Sequence, residues 1–338
     1  MDVDTGDARP SAPQISTPAR VLLFGGTGTI GQAVLSELSA RGHQVTCVGR
    51  PRSAQPDAAM PPGTKLLPAD ISDEEILRNQ IFNSEPFDAV ISCLASRTGT
   101  PADAWAIDYK ANSTLLKIAK DVGVPQFILL SAICVQKPKL EFQKAKLAFE
   151  AELTTSGLTY SIIRPTAYFK SLSGQLNRLK AGKPFLVFGN GRLTACKPIS
   201  NRDLAAFISD CLIKPALQDR ILPIGGPGDA LTPLDQGELL FEKLKLAPKF
   251  RQVPPKLLTT IANGLSLGGY LVPSLKAKAE LARIGHYYAT ESMLVWDEKT
   301  RRYDANATQA YGTETLSDHY ERLVSGEIAD ERRDHAVF

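Results

Sequence analysis

Three side chains in the middle of the chain carry the first chemical clue. Ser131 closes the apolar run Phe127 to Leu130, and Phe142 and Lys146 stand four residues apart on the segment that follows. Interconverting an alcohol and a carbonyl requires a proton to move at oxygen, which a tyrosine at position 142, its pKa lowered by the lysine, would do. Phenylalanine cannot. A hydride reaction at this place therefore goes to an acceptor with no carbonyl oxygen to protonate, or no reaction occurs there.

Hydride chemistry needs a carrier, and the run Gly25-Gly-Thr-Gly-Thr-Ile-Gly31 supplies a place for one. It follows the apolar residues 21–24, which read as a buried parallel strand, and precedes residues 32–41, which read as an amphipathic helix with Ala33, Val34, Leu35 and Leu38 on its apolar side. Gly26, Gly28 and Gly31 allow a tight turn, close approach of backbone to a pyrophosphate, and helix-to-strand packing. The helix then offers unbonded N–H groups and its positive dipole end to the phosphates. The glycine pattern alone is a weak signal. Its strand and helix flanks give it weight.

The elements that must position these residues alternate regularly. A second strand over 44–49 ends at Arg50, where NAD-binding chains carry Asp or Glu for the ribose 2′-hydroxyl. A guanidinium there binds a 2′-phosphate instead, and no acid lies between Gln44 and Gln55, so the cofactor expected is NADPH. A third strand over 65–68 leads to Asp70 and Ile71, with Asp70 at the strand end where an adenine amino group would lie. Residues 73–84 read as a helix with Ser72 as N-cap and Glu75 completing a capping box. A fourth strand over 89–95 brings Leu94 and Ala95 to a small-residue turn beside the ribose and nicotinamide. A helix over 104–122, a fifth strand over 127–130, a helix over 140–156 and a sixth strand over 159–163 follow, the last closing at Arg164-Pro165-Thr166. This is the pattern of an α/β chain: a doubly wound parallel sheet of Rossmann type with a smaller C-terminal substrate-binding lobe. The cofactor contacts expected are Gly25, Thr27, Gly28, Thr29, Ile30, Gly31, Arg50, Asp70, Ile71, Leu94, Ala95, Lys146, Pro165 and Thr166.

Beyond the sixth strand, residues 171–180 read as a helix, 185–188 and 193–197 as short strands, 201–213 as a helix, 220–224 as a strand and 233–244 as a helix. After Pro254 the pattern weakens. The organisation expected is a disordered tail over 1–19, a nucleotide-binding core over 20–170 completed by elements within 194–224, a lobe over 171–325, and a tail over 326–338.

Composition narrows the function classes. The 338 residues carry a net charge of +3 with both signs mixed, too mild to imply nucleic acid as a partner. Five scattered cysteines form no C-x-x-C pair, and four distant histidines suggest no ligand set, so no protein metal site is expected. The acidic, Pro- and Ser-bearing start lacks the make-up of a secretory signal or a transit peptide, which predicts a cytoplasmic protein. Residues 257–275 are uncharged but hold many polar and helix-weakening residues. They read as a helix and loop over the substrate site, or as a weak membrane-surface contact, rather than a spanning helix.

Ser131 and Lys146 match the serine and lysine of short-chain dehydrogenases, whose tyrosine is replaced here by Phe142. The segments 130–146 and 164–175, with Glu291-Ser-Met-Leu-Val-Trp-Asp297 and Arg302-Tyr-Asp304, resemble the NADPH-dependent 3,8-divinyl (proto)chlorophyllide a 8-vinyl reductases. The resemblance spans about 19–324 and includes the phenylalanine. It implies reduction of a vinyl group on a tetrapyrrole pigment to an ethyl group, with the pigment as partner, and the missing transit peptide suggests a bacterial member, peripheral at most to photosynthetic membranes. Negative charge left by the hydride would spread into the macrocycle, so no tyrosine is required, and positioning can lower the barrier by about 7–11 kcal/mol. Lys146 would hydrogen-bond the nicotinamide ribose. Ser131 is either a catalytic hydroxyl or a satisfied strand-end serine. Tyr168, Lys146 and ordered water are the candidate proton donors, with Tyr168 otherwise a packing aromatic. Lys137, Lys139 and Lys170 either meet a substrate carboxylate or lie in solvent, and Trp296 and Tyr303 either stack on the macrocycle or pack the lobe, with packing the favoured reading. The alternative is a catalytically silent, NADPH-binding regulatory protein.

Overall fold

The computed structural model describes residues 18–49, 61–269, 272 and 274–329. Its centre is an eight-stranded sheet whose named strands all pair in parallel. In chain order these strands are β1 (Arg20–Phe24), β2 (Gln44–Gly49), β3 (Thr64–Pro68), β4 (Ala89–Ser92), β5 (Gln126–Leu130), β6 (Thr159–Pro165), β8 (Arg220–Gly225) and β12 (Gln309–Ala310). The short β7 (Phe185–Phe188) and β9 (Phe250–Val253) pair in parallel apart from it, as do β10 (Val295–Asp297) and β11 (Arg302–Asp304) in antiparallel.

Across the sheet the order is β12-β8-β6-β5-β4-β1-β2-β3. The direction of winding reverses between β1 and β4, and the loops after those two strands open the crevice in which such sheets bind ligands. The strands are buried on both faces, which is why β1, β4 and β5 read as unbroken apolar runs rather than alternating ones. On one face the helices Thr29–Ala40 and Asn201–Ile213 pack together through Val34, Leu38, Leu204 and Ile208. The other face is covered by the helices Asn112–Asp121 and Glu141–Thr154 through Leu115, Leu116, Phe149 and Leu153.

Several expected bounds change for local reasons. The cap of the segment after β3 is Asp73, whose carboxylate accepts from the Ile76 amide, while the Ser72 hydroxyl donates to Asp70 instead. β4 stops at Ser92, because Cys93 gives its amide to Phe24 and the chain then turns. The helical run at 101–121 widens by one turn over Trp105–Ala111. Residues 171–180 break into the short helices Phe169–Leu172 and Leu176–Lys180. No strand forms over 193–197, where two isolated bridges, from Cys196 to Leu231 and to Met293, replace it.

Candidate active site

The glycine loop has the geometry its spacing predicts. Gly25 takes φ +78°, and a Cβ there would stand 2.6 Å from the carbonyl oxygen of Cys93, so only glycine lets the loops after β1 and β4 touch. A Cβ on Gly31 would overlap the Gly25 carbonyl, which fixes how closely the helix Thr29–Ala40 meets the turn. That helix starts at Gly28 with no side-chain cap and no acid in its first turn, leaving its first amides and positive dipole end for an anion. Thr27 and Gly28 are exposed and Thr29 is half-buried, whereas the side chain of Ile30 belongs to the core. These features fit a dinucleotide pyrophosphate. Arg50, the residue read as selecting the 2′-phosphate, lies outside the described residues.

One contact at this loop was not anticipated. Lys170, just past β6, reaches across to donate to the Thr29 hydroxyl at 3.1 Å. A cation thereby stands at the glycine loop, a placement that only the return of the chain after β6 creates.

The remaining residues expected at the cofactor stand at or just after the ends of β3, β4 and β6. Asp70 is exposed, and its carboxyl is held below the usual range by hydrogen bonds from the Ser72 amide and hydroxyl. Ile71 and Leu94 pack partly into the core below, while Ala95 is exposed after β4. Pro165 is buried at the end of β6. Thr166 is buried as well, and its hydroxyl is bound to the Lys197 carbonyl.

Of the three catalytic candidates, Lys146 is tied to the widened helix Trp105–Ala111. Its ammonium donates to Asp108 at 2.9 Å, and the Asp108 side chain is fully buried. The second carboxylate oxygen of Asp108 has no hydrogen-bond partner among the described residues. The Ser96 amide, in the loop after β4, approaches the first at 3.3 Å. Ser131 is engaged elsewhere. It is buried, and its hydroxyl donates to Glu150, which also forms a buried ion pair with Arg164.

Tyr168 follows the buried Pro165 and Thr166 and is partly buried against the sheet. Burial, together with the thiols of Cys93 and Cys134, pushes its phenol well above its ordinary pKa, so it holds its proton tightly. Phe142 packs with Ile133, Cys134, Leu140, Ile284 and Tyr287 in an apolar wall behind Lys146. Its ring is part of that wall, and it has no proton to give.

The lysines expected either at a substrate carboxylate or in solvent have another partner. Glu291 receives Lys137 at 2.6 Å, and also Lys139 and the Tyr303 hydroxyl. Burial pushes the Glu291 carboxyl up, but these donors outweigh it and hold the group at about 2. Lys137 also lies 4.1 Å over the Trp296 ring, which meets Tyr303 edge-on at 4.9 Å between centroids. The Tyr287 hydroxyl donates to the carbonyls of Cys134 and Lys137, and Gln136 bonds both Leu294 and Trp296. The segment after β5 is thus clamped to the segment 287–304. Among the described residues no cluster of His, Cys, Asp or Glu could hold a metal ion.

Sheet order, glycine loop and uncapped helix define a Rossmann-type protein, and residues 25–215 match the family described as NAD(P)H-binding. The chain belongs, more narrowly, to the divinyl chlorophyllide a 8-vinyl-reductases. It is 45% identical to the chloroplastic member of Cucumis sativus, over 94% of this chain and 79% of that protein. With the chloroplastic member of Arabidopsis thaliana it shares 44% identity, over 94% of this chain and 80% of the relative. Among solved structures, an NADPH-dependent quinone oxidoreductase from Escherichia coli, complexed with NADPH, superposes with a TM-score of 0.65 at 18% identity, covering 90% of this chain and 99% of that one. That last likeness concerns the fold.

The expectation of a bacterial, cytoplasmic protein is corrected by these relatives, which are chloroplastic plant proteins. It rested on the composition of residues 1–19, most of which lie outside the described residues, and composition there does not fix a compartment. The two segments that carry the family resemblance, after β5 and around Trp296, are the two that the Glu291 clamp joins.

Proposed function

We propose that this chain uses NADPH to reduce the 8-vinyl group of a 3,8-divinyl chlorophyllide or protochlorophyllide a to an ethyl group, and that the chloroplastic relatives favour a plastid as its compartment. The observation that carries the reading is Phe142 in the wall behind Lys146: a chain that keeps the lysine but not the tyrosine suits a carbon–carbon double bond. Nearly full-length identity to named reductases supports the same reaction. A silent NADPH-binding regulator has no such support.

Bound NADPH would supply the hydride. Gly25 to Gly31, with the first amides of the helix, would hold its pyrophosphate, and Lys170 would add a cation there. Arg50 would select the 2′-phosphate, and Asp70, Ile71, Leu94, Ala95, Pro165 and Thr166 would line the adenosine and nicotinamide halves. Lys146, oriented by Asp108, would meet the nicotinamide ribose and keep the site electropositive while charge builds on the macrocycle. The raised pKa of Tyr168 argues against it as proton donor and favours Lys146 or water for the proton that completes the ethyl group. The elements outside the large sheet would form the lobe that covers the pigment.

The deciding experiment mixes the purified chain with divinyl chlorophyllide and, separately, divinyl protochlorophyllide, and follows the pigment absorbance on adding NADPH or NADH. A shift with NADPH, weaker by tenfold or so with NADH, is the expected result, and Arg50→Ala should erase the difference. Tight NADPH binding with an unchanged spectrum for both pigments would favour the silent reading.

A further inference from the structure

The helices Lys256–Gly268 and Ser274–Thr290 form a hairpin, joined where Gly268 and Gly269 let Leu275 and Lys276 approach closely. Its inner seam is held by a 2.6 Å hydrogen bond from Arg283 to the Ser266 hydroxyl. The outer side of the first helix carries Leu257, Ile261, Gly264 and Leu267, at spacings of four, three and three residues that put them on one stripe. Leu257 is 48% exposed, Ile261 42% and Leu267 71%, and Val272 beyond the turn is 47% exposed. Only Ala262 of that helix is buried.

Charge decides what this stripe meets. From Lys245 to Ala279 the sequence holds Lys245, Lys249, Arg251, Lys256, Lys276 and Lys278 and no Asp or Glu. Lys276 and Lys278 are exposed just behind the apolar tip, where long lysine stems can lie along apolar surface and lift their ammonium groups to an anionic layer. The next acid along the chain, Glu280, is buried and paired with Arg283 at 2.9 Å. A second copy of this chain would set those lysines against their own image. No helix of the described residues is long and apolar enough to cross a membrane.

We propose that this hairpin docks on the surface of an anionic lipid bilayer, with Leu257, Ile261, Leu267 and Val272 entering the headgroup boundary and Lys276 and Lys278 meeting the lipid charge. The inference does not depend on the reaction. The stripe is about 15 Å long, which lets the first helix lie in the plane of the interface.

Flotation of the full chain with vesicles of phosphatidylcholine alone or mixed with phosphatidylglycerol tests it. The expected result is binding to the mixed vesicles, reduced by tenfold or so on phosphatidylcholine alone. Both L267D/V272D and K276E/K278E should lower binding by a similar factor while NADPH affinity stays unchanged, since these side chains lie on the surface and outside the glycine loop. Wild-type protein that fails to float, or variants that float like the wild type, would overturn the proposal. So would equal binding to both vesicles, or a lipid-independent dimer that L267D/V272D dissolves, which would assign the face to a second copy.

Discussion

Lys146 and Asp108 face each other at 2.9 Å, the carboxylate fully buried and one of its oxygens without a hydrogen-bond partner among the described residues. The lysine comes from the helix after β5 and the aspartate from the widened turn Trp105–Ala111. A lysine that works without a tyrosine needs some other group to fix its ammonium, and Asp108 is placed to do so.

Removing one side of a buried ion pair strands the other, at a cost of about 3–5 kcal/mol. Lys146→Met should therefore lower both stability and turnover, the latter by a hundredfold or so. Adding Asp108→Asn should return much of the stability and none of the turnover. Thermal unfolding and single-turnover vinyl reduction on the single and double variants separate the two effects. Turnover that recovers along with stability would remove Lys146 from the chemistry.

Ser131 is expected to matter for folding. Its hydroxyl is committed to Glu150, whose charge Arg164 already balances. Ser131→Ala should cost about 1–3 kcal/mol of stability through one lost buried hydrogen bond. It should leave kcat nearly unchanged, and a large fall in kcat with an intact fold would make Ser131 catalytic after all.

The clamp around Glu291 should respond to acid. Its carboxyl sits at about 2 in the folded chain against an ordinary 4.5. A depressed carboxyl contributes stability that is fully present above its unfolded pKa and is lost as pH falls through the folded value. The melting temperature gap between wild type and Glu291→Gln should thus be constant above pH 6 or so and shrink from about pH 4.5 toward 2. A gap that does not change over that range would mean the three donors do not act through charge.

Phe142→Tyr offers a direct test of the reaction type. If the acceptor is a vinyl group, a new phenol four residues before Lys146 should not raise vinyl reduction by the factor of a hundred or more that a useful acid brings. Divinyl pigment turnover measured for both proteins decides it, and a gain of that size would contradict the reading of Phe142.

The glycine loop was legible because part of its constraint is local: Gly25 takes φ +78°, and a Cβ on Gly31 would overlap the Gly25 carbonyl six residues back. The helices Asn201–Ile213 and Pro233–Leu244 were legible for a similar reason, since caps and periodicity lie within them. The strand expected at 193–197 failed because those residues found isolated partners at Leu231 and Met293, far along the chain. The tail of the sheet was missed outright, as β12 is two residues long and exists only because β8 offers an edge.

By itself, then, the sequence carried the pattern of a parallel sheet, the glycine loop and the serine–phenylalanine–lysine set, which rest on short-range spacing, and a resemblance to the family in longer segments. Tertiary structure decided where the charges end. Lys146 found Asp108, Lys137 and Lys139 found Glu291, Ser131 found Glu150, and Lys170 found the glycine loop. Three of these five pairs join residues more than a hundred positions apart, and the acceptors Asp108, Glu150 and Glu291 are buried, where water competes less as a partner. Neither separation nor burial can be read from the local pattern of residue types.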